Sequence, residues 1–312
     1  MRKTIILWIF LLSAITASAQ ETYLYARKDS NLLYLDIHRP QAGATTEYLG
    51  VRKPTILYVF GGGFAFGARD EAYVLKWYSL LNKHGYTVVA IDYRLGMKGY
   101  KMGKGFAGLA KSVYQFEASQ QMGVEDVFSA VSYLAAHPEL GIDIHNIVLC
   151  GSSAGAIISL ATAQAIANGT ATGLPEGFQF KGVLSYAGAI ISTHGAPRFT
   201  RTPCPILLFH GTKDRAVAYN HFGVCGRGMW GSDYLAKQLK KKDGNYTIYR
   251  IEDRGHDVAS YFTRLWPEAQ AFLERNVMQG VASIVDATVK NDSLPILKGW
   301  STITPQQMYN GR

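Results

Sequence analysis

The chain has 312 residues, 48% hydrophobic and 18% charged, with 32 Gly and 10 Pro. That balance excludes a disordered or fibrous protein and leaves enough apolar residues for one large core. A formal net charge of +9 is spread thinly, with Lys240-Lys241-Lys242 the only dense basic run, so no nucleic-acid partner is expected.

Residues 1–19 open with Arg2 and Lys3, continue through an apolar run at Ile5–Ile15, and end in Ala17-Ser18-Ala19. This order predicts a secretory signal peptide and a secreted or periplasmic protein. The apolar run is too short to span a bilayer comfortably, so no stable membrane anchor is expected. Three cysteines, Cys150, Cys204 and Cys225, are too few for a disulfide framework.

Two strands, Tyr23–Ala26 and Leu32–Ile37, flank a hairpin turn at 27–31, and a loop follows over 40–54. Thr55–Phe60 is a continuous apolar strand that stops at Gly61-Gly62-Gly63. Residues 71–84 place Tyr73, Val74, Trp77, Leu80 and Leu81 at helical spacing, with Gly85 as the cap. Tyr86–Ile91 is a second buried strand. Residues 96–122 mix Lys with Gly, Met, Tyr and Phe, and are expected to form an ordered loop or short helical pieces covering the carboxyl end of the sheet. A helix at 123–136 stops at Pro138. A strand at 146–150, a helix to about 168, strands at Lys181–Tyr186 and Ile206–Phe209, a helical stretch at 227–242, a last strand at Tyr246–Ile251 and a final helix at 258–276 complete the pattern. Residues 277–312 are polar and weakly patterned, and are expected to pack on the surface as a tail. The strands are apolar runs rather than alternating ones, so both sheet faces are covered. Strands alternating with helices predict an α/β fold: a doubly wound, mostly parallel central sheet in a three-layer α/β/α sandwich.

The chemistry centres on Gly151-Ser152-Ser153-Ala154-Gly155, set between a buried strand and a helix. A G-x-S-x-G turn of that kind lifts its central serine above the sheet. A serine hydroxyl needs a base, and the base needs an acid to orient it. Asp214 follows the strand 206–209 and His256 follows the strand 246–251. The order Ser153, Asp214, His256 is the one this architecture requires, and all three fall at carboxyl ends of strands. His210, Asp257, Asp253 and Glu252 are the competing groups. Gly62 and Gly63, with the amide of Ala154, are the expected oxyanion donors, because glycine lets backbone N–H groups approach a ligand. Substrate contacts are expected from Phe64 and Phe66, from the 96–122 segment, and from a 219–230 loop that carries Tyr219, His221, Met229 and Trp230.

Phe60-Gly-Gly-Gly-Phe64 with Gly67, Asp92-Tyr93-Arg94-Leu95, Gly151-Ser-Ser-Ala-Gly155, His210-Gly-Thr-Lys-Asp214 with Val217, and Gly255-His256 together resemble the α/β-hydrolase carboxylesterases and related lipases over residues 31–276. Phe60 stands where many such enzymes carry His, a form closer to the cholinesterase and carboxylesterase type. The resemblance implies an α/β-hydrolase catalytic domain over 20–276, with inserts at 96–122 and 219–230. It implies hydrolysis of a small ester through an acyl-enzyme, without metal or organic cofactor. Some secreted members act on acetyl or feruloyl groups of plant polysaccharides, so an esterified carbohydrate is one expected substrate. Two readings stand beside this one: a serine peptidase of the same fold, and a non-catalytic binding protein on a hydrolase scaffold.

Overall fold

The computed structural model describes residues 20–242 and 244–310; the leader expected at 1–19 lies outside the described residues. Strands β1 (Glu21–Lys28) and β2 (Asn31–His38) form the expected antiparallel hairpin. Within the 40–54 loop, β3 (Glu47–Tyr48) and β4 (Val51–Arg52) make a short clip. The alternating part follows as β5 (Thr55–Val59), α1 (Ala72–Lys83), β6 (Val88–Ile91), α2 (Gly105–Ala136), β7 (Ile147–Ser152), α3 (Ala154–Asn168) and β8 (Gly182–Tyr186). Then come β9 (Ala189–Ser192), β10 (Ile206–Gly211), β11 (His221–Val224), β12 (Arg227–Gly231), α4 (Ser232–Lys240), β13 (Tyr246–Ile251), α5 (Trp266–Phe272), β14 (Ile284–Val289) and α6 (Pro305–Asn310).

The central sheet has nine strands in the order β1-β2-β6-β5-β7-β8-β10-β13-β14. Only the pairings of β2 with β1 and β6 are antiparallel; the other six are parallel. Every residue of β5, β6, β7, β8 and β10 is buried, as their unbroken apolar runs require. From β5 the chain moves one way to β6, then back past β5 to β7 and onward. Right-handed crossovers therefore put α1 and α2 on opposite faces. The reversal places the carboxyl ends of β5 and β7 side by side, Val59 pairing with Gly151. Ligands bind at such a switch point.

Four expectations change. First, one helix of 32 residues, α2, runs through most of the 96–122 segment and all of 123–136. Gly105, Gly108 and Gly123 lower its intrinsic propensity by about 1 kcal/mol each. Tertiary packing overrides this: a Cβ on Gly123 would lie 2.3 Å from Ile158 Cδ1 on α3, and one on Gly108 would lie 2.3 Å from the Gly103 backbone. Gly108 and Gly123 mark close approaches, whereas Gly105, at φ 67° with open space around it, starts the helix. Gln120 on α2 is buried, donates to Ile191 O at 3.0 Å and accepts from Ile191 N at 2.9 Å, tying the helix to β9. Second, 227–242 is strand β12 followed by the shorter α4, and β11-β12-β9 form a separate three-stranded sheet. Third, the helix expected over 258–276 is broken. A 3₁₀ turn spans His256–Ser260, Pro267 starts α5, and a wider π-type turn covers Leu273–Met278.

Fourth, the 277–312 segment is more than a surface tail. Its β14 adds a parallel strand beside β13, with Thr247 opposite Val285. Its remaining described residues run back over the carboxyl ends of the strands. Among the described residues, no helix is long and apolar enough to cross a membrane.

Candidate active site

Ser153 sits between β7 and α3 at φ 51° and ψ −116°, a strained conformation for a residue with a Cβ. The flanking glycines make the turn possible. A Cβ on Gly151 would lie 2.2 Å from Gly155 O, and one on Gly155 would lie 2.0 Å from Val59 O on β5. The Ser153 amide donates to Tyr186 O at 2.9 Å, which anchors the turn to β8.

Ser153 Oγ lies 2.8 Å from His256 Nε2, and His256 Nδ1 lies 2.8 Å from Asp214 Oδ2. His256 follows β13 and Asp214 follows β10, so neighbouring parallel strands deliver both. The other carboxylate oxygen of Asp214 accepts the amides of Ala216 and Val217, each at 2.9 Å. Burial alone would raise the Asp214 pKa. The charge of His256 and hydrogen bonds from His210 and His256 outweigh burial and hold the carboxyl well below its ordinary range. With Asp214 on Nδ1, the ring's Nε2 is left to accept the serine proton.

The competing groups have other partners. His210 is fully buried behind Asp214; its Nε2 lies 3.4 Å from Asp214 Oδ2, and its Nδ1 lies 2.8 Å from Ser232 Oγ. Asp257 accepts from Gly255 N at 3.0 Å and from the Tyr261 hydroxyl at 2.8 Å, shaping the histidine loop. Asp253 is exposed and paired with Lys213 at 2.7 Å, and Glu252 is exposed.

The glycine loop follows β5. Gly62 has φ 112° and Gly63 has φ 60°, which only glycine adopts freely. Among the described residues, neither amide donates to another backbone carbonyl. Ala154 opens α3, where an N–H has no intrahelical acceptor. Phe60 packs on Tyr93 with ring centroids 4.4 Å apart, and the Tyr93 hydroxyl donates to Phe60 O at 3.2 Å. That contact holds the base of the loop. On its far side the Tyr309 hydroxyl, from α6, donates to Gly63 O.

Two cavities meet at Ser153. One, of about 30 Å³, is lined by Gly63, Phe64, Phe116, Ala154, Val217 and Met229, among others. The other, of about 780 Å³, is lined by Gly62, Phe66, Tyr73, His256, Phe262 and Trp300, among others. Phe64 lines the small cavity and Phe66 the large one. Tyr219, His221 and Trp230 line neither cavity. Successive residues on a strand face opposite ways, so Met229 reaches the small cavity while Trp230 is buried against His221, ring centroids 4.8 Å apart. The Tyr219 ring packs edge-on to His210 at 5.8 Å. Among the described residues, the 96–122 segment reaches the cavities through Phe116.

Leu297, Trp300, Pro305, Met308 and Tyr309, all in the segment expected to be a tail, line the cavities. One signal for them was present. Thr304-Pro305-Gln306-Gln307 is a capping box, with Thr304 N donating to Gln307 Oε1 at 2.9 Å and Gln307 N to Thr304 Oγ1 at 3.3 Å.

A model of the carboxylesterase family matches residues 13–192, more than half of the chain. Secreted lipase 5 of Gibberella zeae is 27% identical over 149 residues, 45% of this chain and 26% of that protein. The chain thus spans about a quarter of the length of the curated relative it matches. Among solved structures, a thermophilic esterase from Thermogutta terrifontis with propionate bound superposes with a TM-score of 0.57 at 21% identity, covering 82% of this chain and 94% of that one. The apo form of Thermogutta terrifontis esterase 2 gives 0.58 at 20% identity over the same shares. At these identities the likeness is one of fold, and the fold is that of an α/β-hydrolase.

Proposed function

The chain belongs to the carboxylesterase family, and we propose that the protein is a serine hydrolase that cleaves small carboxylic esters through an acyl-enzyme. The observation that carries this reading is the unbroken line from Ser153 Oγ through His256 to Asp214, both links at 2.8 Å. His256 takes the serine proton as Oγ attacks the carbonyl carbon. Asp214 holds the imidazole tautomer and offsets its positive charge. The amides of Gly62, Gly63 and Ala154 meet the oxyanion. The alcohol departs with the proton from His256, and water repeats the sequence on the acyl-enzyme.

The proton must pass from His256 to the leaving alcohol, so the alcohol lies on the side of the large cavity that His256 lines. The acyl group then points into the small one. Phe66, Tyr73 and Trp300 border the large cavity and are 42%, 43% and 45% exposed; aromatic rings at such a mouth suit the apolar face of a sugar. The reading extends to an acetylated or feruloylated carbohydrate as substrate, the smaller acyl group suiting the smaller cavity better. The leader-like residues 1–19 and the secreted lipase among its relatives support action outside the cytosol.

The test is a panel of acetylated, feruloylated and simple acyl esters, with a peptide substrate alongside. Ser153→Ala is expected to lower ester turnover by at least ~10³-fold. Unchanged turnover in that variant would mean a different nucleophile, and no turnover in the wild type would mean a non-catalytic protein. Faster cleavage of the peptide would favour a peptidase.

A further inference from the structure

The small cavity is closed by the far C-terminal end of the chain. Helix α6 places Pro305, Met308 and Tyr309 against Gly63 and Phe116. The Tyr309 side chain is buried, its ring edge-on to Phe116 at 5.2 Å and its hydroxyl on Gly63 O. The helix has little freedom to withdraw. Asn310 accepts from Met102 N at 2.9 Å and donates to Met102 O at 3.0 Å, a two-bond clamp on the segment leading into α2. Its amino end is held by the Thr304–Gln307 capping box. The fit to the glycine loop is tight, since a Cβ on Gly63 would lie 2.6 Å from both Met308 Sδ and Tyr309 Oη. Met308 lines both cavities and so stands between them.

We propose that α6 is the end wall of the acyl site, with Met308 and Tyr309 restricting the enzyme to acyl groups of about acetyl size. The inference rests on the esterase reading and adds a selectivity to it. The cavity, of about 30 Å³, is small beside the space of about 780 Å³ on the other side of Ser153, and suits a short acyl group. Longer acyl chains meet the Met308 thioether and the Tyr309 ring. Met308→Ala removes three heavy atoms from that wall and joins the small space to the large one.

The test compares 4-nitrophenyl acetate, butyrate and hexanoate on the wild type and on Met308→Ala, with Met308→Leu as a volume-conserving control and thermal melts to check folding. In the wild type kcat/KM is expected to fall steeply from acetate to hexanoate. In Met308→Ala the butyrate-to-acetate ratio is expected to rise about tenfold or more, the scale of a methylene in an apolar pocket; in Met308→Leu the ratio stays near that of the wild type. A folded Met308→Ala with an unchanged ratio overturns the inference while leaving the esterase reading intact. A wild type that takes hexanoate as readily as acetate overturns it too, whether or not the variant folds. A wild type with no turnover of any ester removes the esterase reading itself, and the end wall with it.

Discussion

At the scale of single residues, the site is held by partners that have no part in bond making. Asp214 receives two amides and faces two histidines, so its carboxylate is fixed in place and in charge. Asp214→Asn is expected to lower kcat by on the order of 10³–10⁴-fold, because the amide no longer selects the tautomer. The variant also carries a pH signature. The folded pKa of Asp214 lies below its ordinary value of 3.8, so the carboxylate stabilises the fold at all pH above that value. This contribution is lost as pH falls below it towards the folded pKa. Thermal melts below about pH 4 are expected to fall more steeply with pH for the wild type than for Asp214→Asn. Equal slopes would mean that Asp214 is not held charged. Tyr93 plays a quieter part, its hydroxyl on Phe60 O fixing the base of the glycine loop.

Among the elements, glycine explains most of the differences between expectation and structure. The residue lowers helix propensity, so a stretch with Gly103, Gly105 and Gly108 is predicted as loop or short helical pieces. In the fold Gly103, Gly108 and Gly123 are close approaches, while Gly105 opens α2 at φ 67°. An exposed Gly→Ala in a helix would stabilise by about 1 kcal/mol. At Gly123 the methyl would meet Ile158 Cδ1 at 2.3 Å, so Gly123→Ala is expected to destabilise by about 1–3 kcal/mol through overpacking. Urea denaturation gives the sign directly, and stabilisation would place α2 and α3 further apart than described. The three-stranded sheet β11-β12-β9 escaped prediction for a different reason. Its strands are short, and the alternation that sends Met229 one way and Trp230 the other is confined to five residues.

Over the whole molecule, the C-terminal segment from β14 to α6 joins sheet and site. β14 covers the open edge of β13, and beyond it the chain is pinned to the histidine loop. Arg254 donates to Asn291 O at 3.1 Å and Leu294 O at 2.8 Å, and Leu297 N donates to Asp257 at 3.3 Å. A Cβ on Gly255 would lie 1.7 Å from Ser301 O, so the tail lies directly on the residue before His256. Truncation after Gly280 would unpair the β13 edge, leave the Arg254 guanidinium without its carbonyls and open both cavities. The expected outcome is loss of ester turnover together with self-association on size-exclusion chromatography. A monodisperse, active truncation would show that the segment is dispensable.

The sequence alone determined the α/β class, the buried strands and the order of Ser153, Asp214 and His256. Unbroken apolar runs and a G-x-S-x-G turn are local patterns, and strand ends are where such a sheet presents its chemistry. The glycine loop was legible for the same reason, since Gly61-Gly62-Gly63 stands at a strand end. Only the tertiary structure decided what surrounds Ser153. Met308 and Tyr309 lie more than 150 residues from that serine in the chain and meet it through packing and a hydrogen bond to Gly63 O. No periodicity encodes such a meeting. The pattern of a segment tells which face it buries, but the surface that it meets depends on the path of the whole chain.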